Sequence, residues 1–161
     1  MSLYIYVKDE VLREKMAEHL AKRRPTDSGC DILGPAWMMP EANLERYGLE
    51  MKLGIHCAAF TTDNKPAPYL LLARSSTSLT PFRMSNQLGL ADMGYRGELI
   101  ARVDIMGNES NNWVVTYGQR LFQIVQHNWM PWEEIVLVDN LADLPAAIDN
   151  RGDGGFGSTG V

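Results

Sequence analysis

Asp92 is the residue around which a chemistry can be built. It lies in Asn86-Gln-Leu-Gly-Leu-Ala-Asp-Met-Gly-Tyr-Arg-Gly-Glu98, where Gly89, Gly94 and Gly97 recur at intervals too short for a helix and Leu88, Leu90 and Leu99 alternate with smaller or polar residues. This spacing predicts a β-hairpin. A carboxylate held beside such a turn can act as a general base on a water, and Tyr95, three residues on, can lay a ring beside whatever the hairpin holds. On this window alone, an ordinary hairpin whose Asp and Asn cap the turn accounts for the residues at least as well.

Two further stretches carry groups suited to phosphate. Arg74 offers a rigid fork of donors, and Ser75 and Ser76 add hydroxyls and backbone N–H groups, a set able to hold phosphate oxygens without a covalent bond. From Arg151 to Gly160 the chain reads Arg-Gly-Asp-Gly-Gly-Phe-Gly-Ser-Thr-Gly. Composition alone predicts a disordered, Gly-rich end. The same glycines, Gly157 included, let successive N–H groups converge on phosphate oxygens as a nest, with Ser158 and Thr159 as hydroxyl donors, Arg151 as charge and Phe156 to stack on a base. No Lys follows the glycines, so the run is not a Walker A loop.

The elements that must position these groups are mostly strands. Leu3 to Val7, Gly48 to Phe60 and Glu98 to Met106 alternate as half-buried strands, and Tyr69 to Ala73 is a nearly continuous apolar run, as in a strand covered on both faces. Trp113 to Tyr117 and Glu133 to Val138 complete an all-β pattern. Asp9 to Arg24 is the exception: Leu12, Met16 and Leu20 fall at i, i+4 spacing and Pro25 closes a helix. Its basic end, Lys22-Arg23-Arg24, reads as a solvated terminus complementing the helix dipole. With 161 residues the chain is expected to form one domain, residues 1–140, followed by an arm over 141–161.

Fifteen Lys and Arg against twenty Asp and Glu give a formal charge of −5, which argues against nonspecific nucleic-acid binding; a small anionic substrate would need locally placed arginines or a metal. Cys30 and Cys57 lack the spacing of a disulfide framework or a zinc site, and His19, His56 and His127 lie too far apart to be joint ligands. Without a signal-like N-terminus or a membrane-length apolar run, the expectation is a soluble cytoplasmic or nuclear protein with no membrane partner.

Five segments in order resemble the motifs of the homotrimeric dUTP pyrophosphatases. Thr26-Asp27-Ser28-Gly29-Cys30-Asp31 is similar to the first, Asp-Ala-Gly-Tyr-Asp-Leu, with Ser28 and Cys30 as substitutions. Ala73-Arg74-Ser75-Ser76 resembles the second, with Ala73 in place of proline, and Asn86 to Glu98 resembles the third, with Ala91 in place of a bulkier residue. Gly118-Gln119-Arg120-Leu121-Phe122-Gln123 resembles the fourth, with Gln119 for Glu, and Arg151 to Gly160 resembles the fifth almost residue for residue.

The resemblance implies a jelly-roll-like β-barrel of the dUTPase (β-clip) type, with the helix at about 9–24 as an insertion on its outside and a flexible C-terminal arm. It implies Mg²⁺-dependent hydrolysis of dUTP to dUMP and pyrophosphate by a homotrimer with shared sites: phosphate motifs from one chain, hairpin from a second, arm from a third. Asp92 would be the general base; Asn86, Gly89, Tyr95 and Phe156 would hold base and sugar. Arg74, Ser75, Ser76, Gln123, Arg151, Gly157, Ser158 and Thr159 would hold phosphates, Arg74 also supporting the hairpin, and Asp31 would touch magnesium through water. Two rival readings follow from the same fold: a dCTP deaminase, alone or bifunctional, with Glu98 as proton carrier, and a nucleotide-responsive regulatory protein that uses the helix as its partner surface.

Overall fold

The structure, a computed structural model, describes residues 1–38, 46–106 and 114–147. The expected arm positions Arg151, Phe156, Gly157, Ser158 and Thr159 lie outside the described residues. In chain order the elements are β1 (Ser2–Val7), α1 (Glu10–Leu20), β2 (Cys30–Ile32), β3 (Trp37–Met38), β4 (Leu49–Phe60), β5 (Pro66–Ala67), β6 (Tyr69–Ala73), a 3-10 turn (Ser75–Leu79), β7 (Phe82–Met84), β8 (Gly89–Ala91), β9 (Glu98–Ile105), β10 (Val114–Val115), β11 (Phe122–Gln126), β12 (Glu134–Val138) and a second 3-10 turn (Leu141–Asp143).

The fold is all-β, as expected, and the strands form two main sheets rather than a closed barrel. One sheet runs β12-β1-β4-β9-β7 with β5 added to β4, the other runs β2-β11-β6-β8, and β10 pairs with β3. Period-2 patterning explains the layering. In β1, Leu3, Ile5 and Val7 enter the main core, whereas Tyr4 and Tyr6 pack on the opposite face with Ala58, Phe60 and Leu144. Tyr4 meets Phe60 edge to face at 5.8 Å. β4 bends where its register with β9 shifts between Lys52 and His56, and Gly54 N–H there donates to the Glu98 carboxylate at 2.9 Å.

The helix is shorter than the spacing predicts and is less of an outlier. Asp9 caps it by accepting from Leu12 N–H at 2.9 Å, and Leu12 and Met16 are buried against β1 and β12. It ends at Leu20, with Ala21 as C-cap, in a last turn tightened by Lys22 N–H on His19 C=O and Arg23 N–H on Leu20 C=O, and the Arg23 guanidinium beyond it donates to the carbonyls of Trp132 and Asp27. The Lys22-Arg23-Arg24 end is therefore not simply a solvated terminus.

The expected hairpin over 86–98 is also corrected. β7 pairs with β9, while β8 pairs with β6, so the stretch crosses from one sheet to the other and returns through a turn closed by Tyr95 N–H on Asp92 C=O at 2.9 Å. Local alternation is satisfied equally by a neighbouring strand and a distant one, and the long apolar face of β6 captures β8.

Candidate active site

Three of the resemblance-bearing segments meet at one cavity of about 550 Å³. Its walls include Asp31 from β2, Arg74 and Ser75 just past the end of β6, Arg120 from the approach to β11, Gln123 from β11 itself, and residues between His19 and Arg24 that follow and end the helix. Sheet order accounts for the meeting, because β11 lies between β2 and β6, in register Asp31 to Gln123 and Gln123 to Leu72.

Asp31 is the electrostatic centre of this cavity. Arg74 Nε donates to its Oδ1 at 2.7 Å, Arg120 Nη1 to its Oδ2 at 3.0 Å, and His19 Nε2 lies 3.5 Å from Oδ2. Asp31 is only 16 % exposed, so these partners compensate its desolvation. The His19 ring is held below its ordinary pKa, first by burial and then by the Arg120 guanidinium. Arg74 also donates to Ser76 Oγ and to Arg120 C=O, both at 3.1 Å, so its side chain braces the serine turn and β11 rather than the 86–98 stretch of its own chain. Ser75 lines the cavity and Ser76 does not.

Gly29 has a stereochemical reason for its place in the first motif. A Cβ there would overlap the amide oxygen of Gln123, whose nitrogen donates to Ala73 C=O at 3.4 Å. Gln119, the substitution in the fourth motif, accepts from Thr116 N–H at 3.0 Å and so still caps its turn. Cys30 packs in the core, where burial raises its thiol pKa to about 12, and Cys57 is raised by the same cause.

Asn86, Gly89, Asp92 and Tyr95 do not line this cavity. β2 and β8 are opposite edges of the four-stranded sheet, three spacings apart, and the register puts Asp92 four residues along β6 from the Asp31 row. At about 4.8 Å per spacing and about 3.3 Å per residue, Asp31 and Asp92 of one chain stand roughly 20 Å apart. Tyr95 folds back, its hydroxyl donating to Glu98 C=O at 2.7 Å, and a Cβ at Gly97 would come within 2.6 Å of that hydroxyl. Arg96 grips the carbonyls of Pro145 at 2.8 Å and Ala146 at 3.2 Å, fastening the final described segment to the turn that bears Asp92. The side chain that Gly89 lacks would meet Leu71 across the strand pair.

Sequence reasoning set His19 aside as too far from the other histidines to be a joint ligand and gave Arg120 no role. His19 follows Met16 by three residues and Leu12 by seven, a spacing that places it near the helix face turned inward.

The chain is 30% identical over 147 residues to the deoxyuridine 5'-triphosphate nucleotidohydrolase of Anaplasma marginale (strain St. Maries), an alignment spanning 83% of this chain and 93% of the relative. The chain belongs to the dUTPase family. A second dUTPase relative, from Desulfitobacterium hafniense (strain DSM 10664 / DCB-2), is 39% identical over 80 residues, which is 48% of this chain and 46% of that one. No protein-family model matches the chain.

Solved dUTPases share the fold. The Staphylococcus bacteriophage 80alpha dUTPase, in a structure with dUpNHpp, superposes with a TM-score of 0.52 over 99% of this chain and 98% of its own at 19% identity. A phage phi11 dUTPase mutant from S. aureus, in a structure that details coordination of a structural Mg(II) ion, gives 0.52 over 76% of this chain and 88% of its own at 18% identity. No three His, Cys, Asp or Glu side chains among the described residues of the present dUTPase-family chain cluster as metal ligands. Asp31 is a single carboxylate already accepting from two arginines, so the donor set fits magnesium only at second remove, as a hydrated ion carried by a triphosphate. No helix among the described residues is long and apolar enough to cross a membrane.

Proposed function

We propose that this protein hydrolyses dUTP to dUMP and pyrophosphate, in an oligomer, a homotrimer by family pattern, whose sites are shared between chains. The observation that carries the reading is the convergence of Asp31, Arg74, Ser75 and Gln123 on one cavity in a chain of the dUTPase family. Arg74 and Ser75, with Ser76 beside them, and the Gln123 amide present donors suited to phosphate oxygens, joined by Arg151, Gly157, Ser158 and Thr159 from the arm. A magnesium ion entering with the triphosphate would neutralise its charge, with Asp31 touching the waters around it.

Asp92 takes a proton from a water aligned on the α-phosphorus. The new bond forms between that water oxygen and phosphorus, the bond to the bridging oxygen breaks, and pyrophosphate leaves with the electron pair. Asn86 and Gly89 provide backbone edges for uracil, Tyr95 packs on the sugar and Phe156 on the base. The separation of roughly 20 Å between Asp31 and Asp92 within one chain supports an acid supplied by a neighbouring copy. Glu98, the proton carrier required of a dCTP deaminase, has its carboxylate engaged by Gly54 N–H, which favours a structural task.

A pyrophosphate-release assay on dUTP, dCTP, dTTP and UTP, with and without Mg²⁺, tests this reading. Release from dUTP alone, reduced roughly 10² to 10⁴ fold in Asp92→Asn, is the expected result. Ammonia from dCTP without pyrophosphate from dUTP overturns it.

A further inference from the structure

The cavity has a wall that the five motifs do not supply. Lys22, Arg23 and Arg24 follow the helix and line it together with Arg74 and Arg120, so five permanent cations face two carboxylates, Asp27 and Asp31. In a protein of net charge −5, this concentration of positive charge focuses the local field on anions.

Most of these cations already have partners. Arg74 and Arg120 are bound to Asp31, and Arg24 lies 3.4 Å from Asp27. Lys22 has no ion-pair or hydrogen-bond partner among the described residues for its ammonium, and Arg23 Nε is the one buried side-chain polar atom among them that lacks a partner. With five cations and two carboxylates lining one cavity, and the Lys22 ammonium not committed to either carboxylate, the cavity keeps positive charge for an anionic ligand.

Resting on the reading of this cavity as a phosphate site, we propose that the Lys22–Arg24 corner is an added subsite for the far end of a polyphosphate, for which inorganic pyrophosphate is the probe. Ser75 and Gln123 line the same cavity as the helix end, so one bound chain of phosphates can reach both. The helix would then serve the substrate directly, by bringing a cation to the leaving group.

Calorimetric titration of the full chain with inorganic pyrophosphate at low salt tests this, using the parent, Lys22→Gln and Lys22→Glu. Lys22 is exposed and outside the core, so both variants keep the fold, which circular dichroism verifies. The expected result is affinity weakened about fivefold in Lys22→Gln and further in Lys22→Glu, with dUMP, which lacks the far phosphates, held alike by all three. Equal pyrophosphate affinity in the three proteins, or no binding by the parent, overturns the subsite. Because no turnover is needed, failure here is distinct from failure of the parent to cleave dUTP, which would overturn the proposed activity alone.

Discussion

Arg74→Ala and Asp92→Asn chains, each nearly inactive alone, are expected to regain activity when mixed in equal amounts, unfolded and refolded together. The separation of roughly 20 Å that strand spacing and register impose between Asp31 and Asp92 exceeds the few ångströms an aspartate side chain can reach. A site that draws Arg74 from one chain and Asp92 from the next is complete only where an Asp92→Asn chain supplies the first and an Arg74→Ala chain the second. Random assembly makes that true of about one site in four, so about a quarter of parent activity should return. The assay is pyrophosphate release from dUTP, with each variant refolded alone as the baseline and the parent refolded alone as the ceiling. If the mixture gives only the average of the two baselines while the parent recovers fully, one chain carries both groups and the geometric reasoning is wrong.

Four other outcomes follow from particular contacts. Asp31→Asn removes the charge between Arg74 and Arg120 and should cost about 1–2 kcal/mol, measured by urea unfolding; an unchanged midpoint would mean that solvent screens the network. Gly29→Ala should leave folding intact but displace the Gln123 amide, raising KM for dUTP severalfold, and a KM equal to the parent's would remove Gln123 from phosphate binding. Cys30, with a thiol pKa of about 12, and the equally buried Cys57 should resist a thiol-titrating disulfide reagent at pH 8 in the native protein and react only after denaturation. Asp9 is held below its ordinary pKa of 3.8 by the Tyr117 hydroxyl and then by Leu12 N–H, so its contribution is present above that value and lost as pH falls through the lower folded one. The Tm gap between the parent and Asp9→Ala should therefore shrink as pH is lowered from 6 toward 3.

Strands with one wet face were legible because alternation needs only their own residues: β1 and β9 read as they fold, and the buried run of β6 announced a strand covered on both sides. Partner choice was not legible. Residues 86–98 alternate as a hairpin would, yet β8 is taken by β6 and the outgoing strand by β4 and β7, since register belongs to the larger apolar face. The helix end was misread for a similar reason. Arg23 looked like a dipole-complementing cation, and only the positions of the Trp132 and Asp27 carbonyls reveal what its guanidinium binds. In the site, residue types announced Asp31, Arg74 and Gln123, whereas His19 and the corner after it enter only through packing of α1 on β1 and β12.

The pairing of β1 with β12 sets a timetable for biosynthesis. Ser2 to Tyr6 are in parallel register with Glu134 to Val138, and β1 lies between that strand and β4. A nascent chain emerging from the ribosome thus carries an unfinished sheet, with one border of β1 open, until residue 138 has cleared the exit. Completion of this sheet therefore waits for the last strand. Stalled fragments that stop short of the last strand would expose a template for wrong partners, and cells making the protein quickly would do best to shield its amino-terminal half until synthesis is almost done.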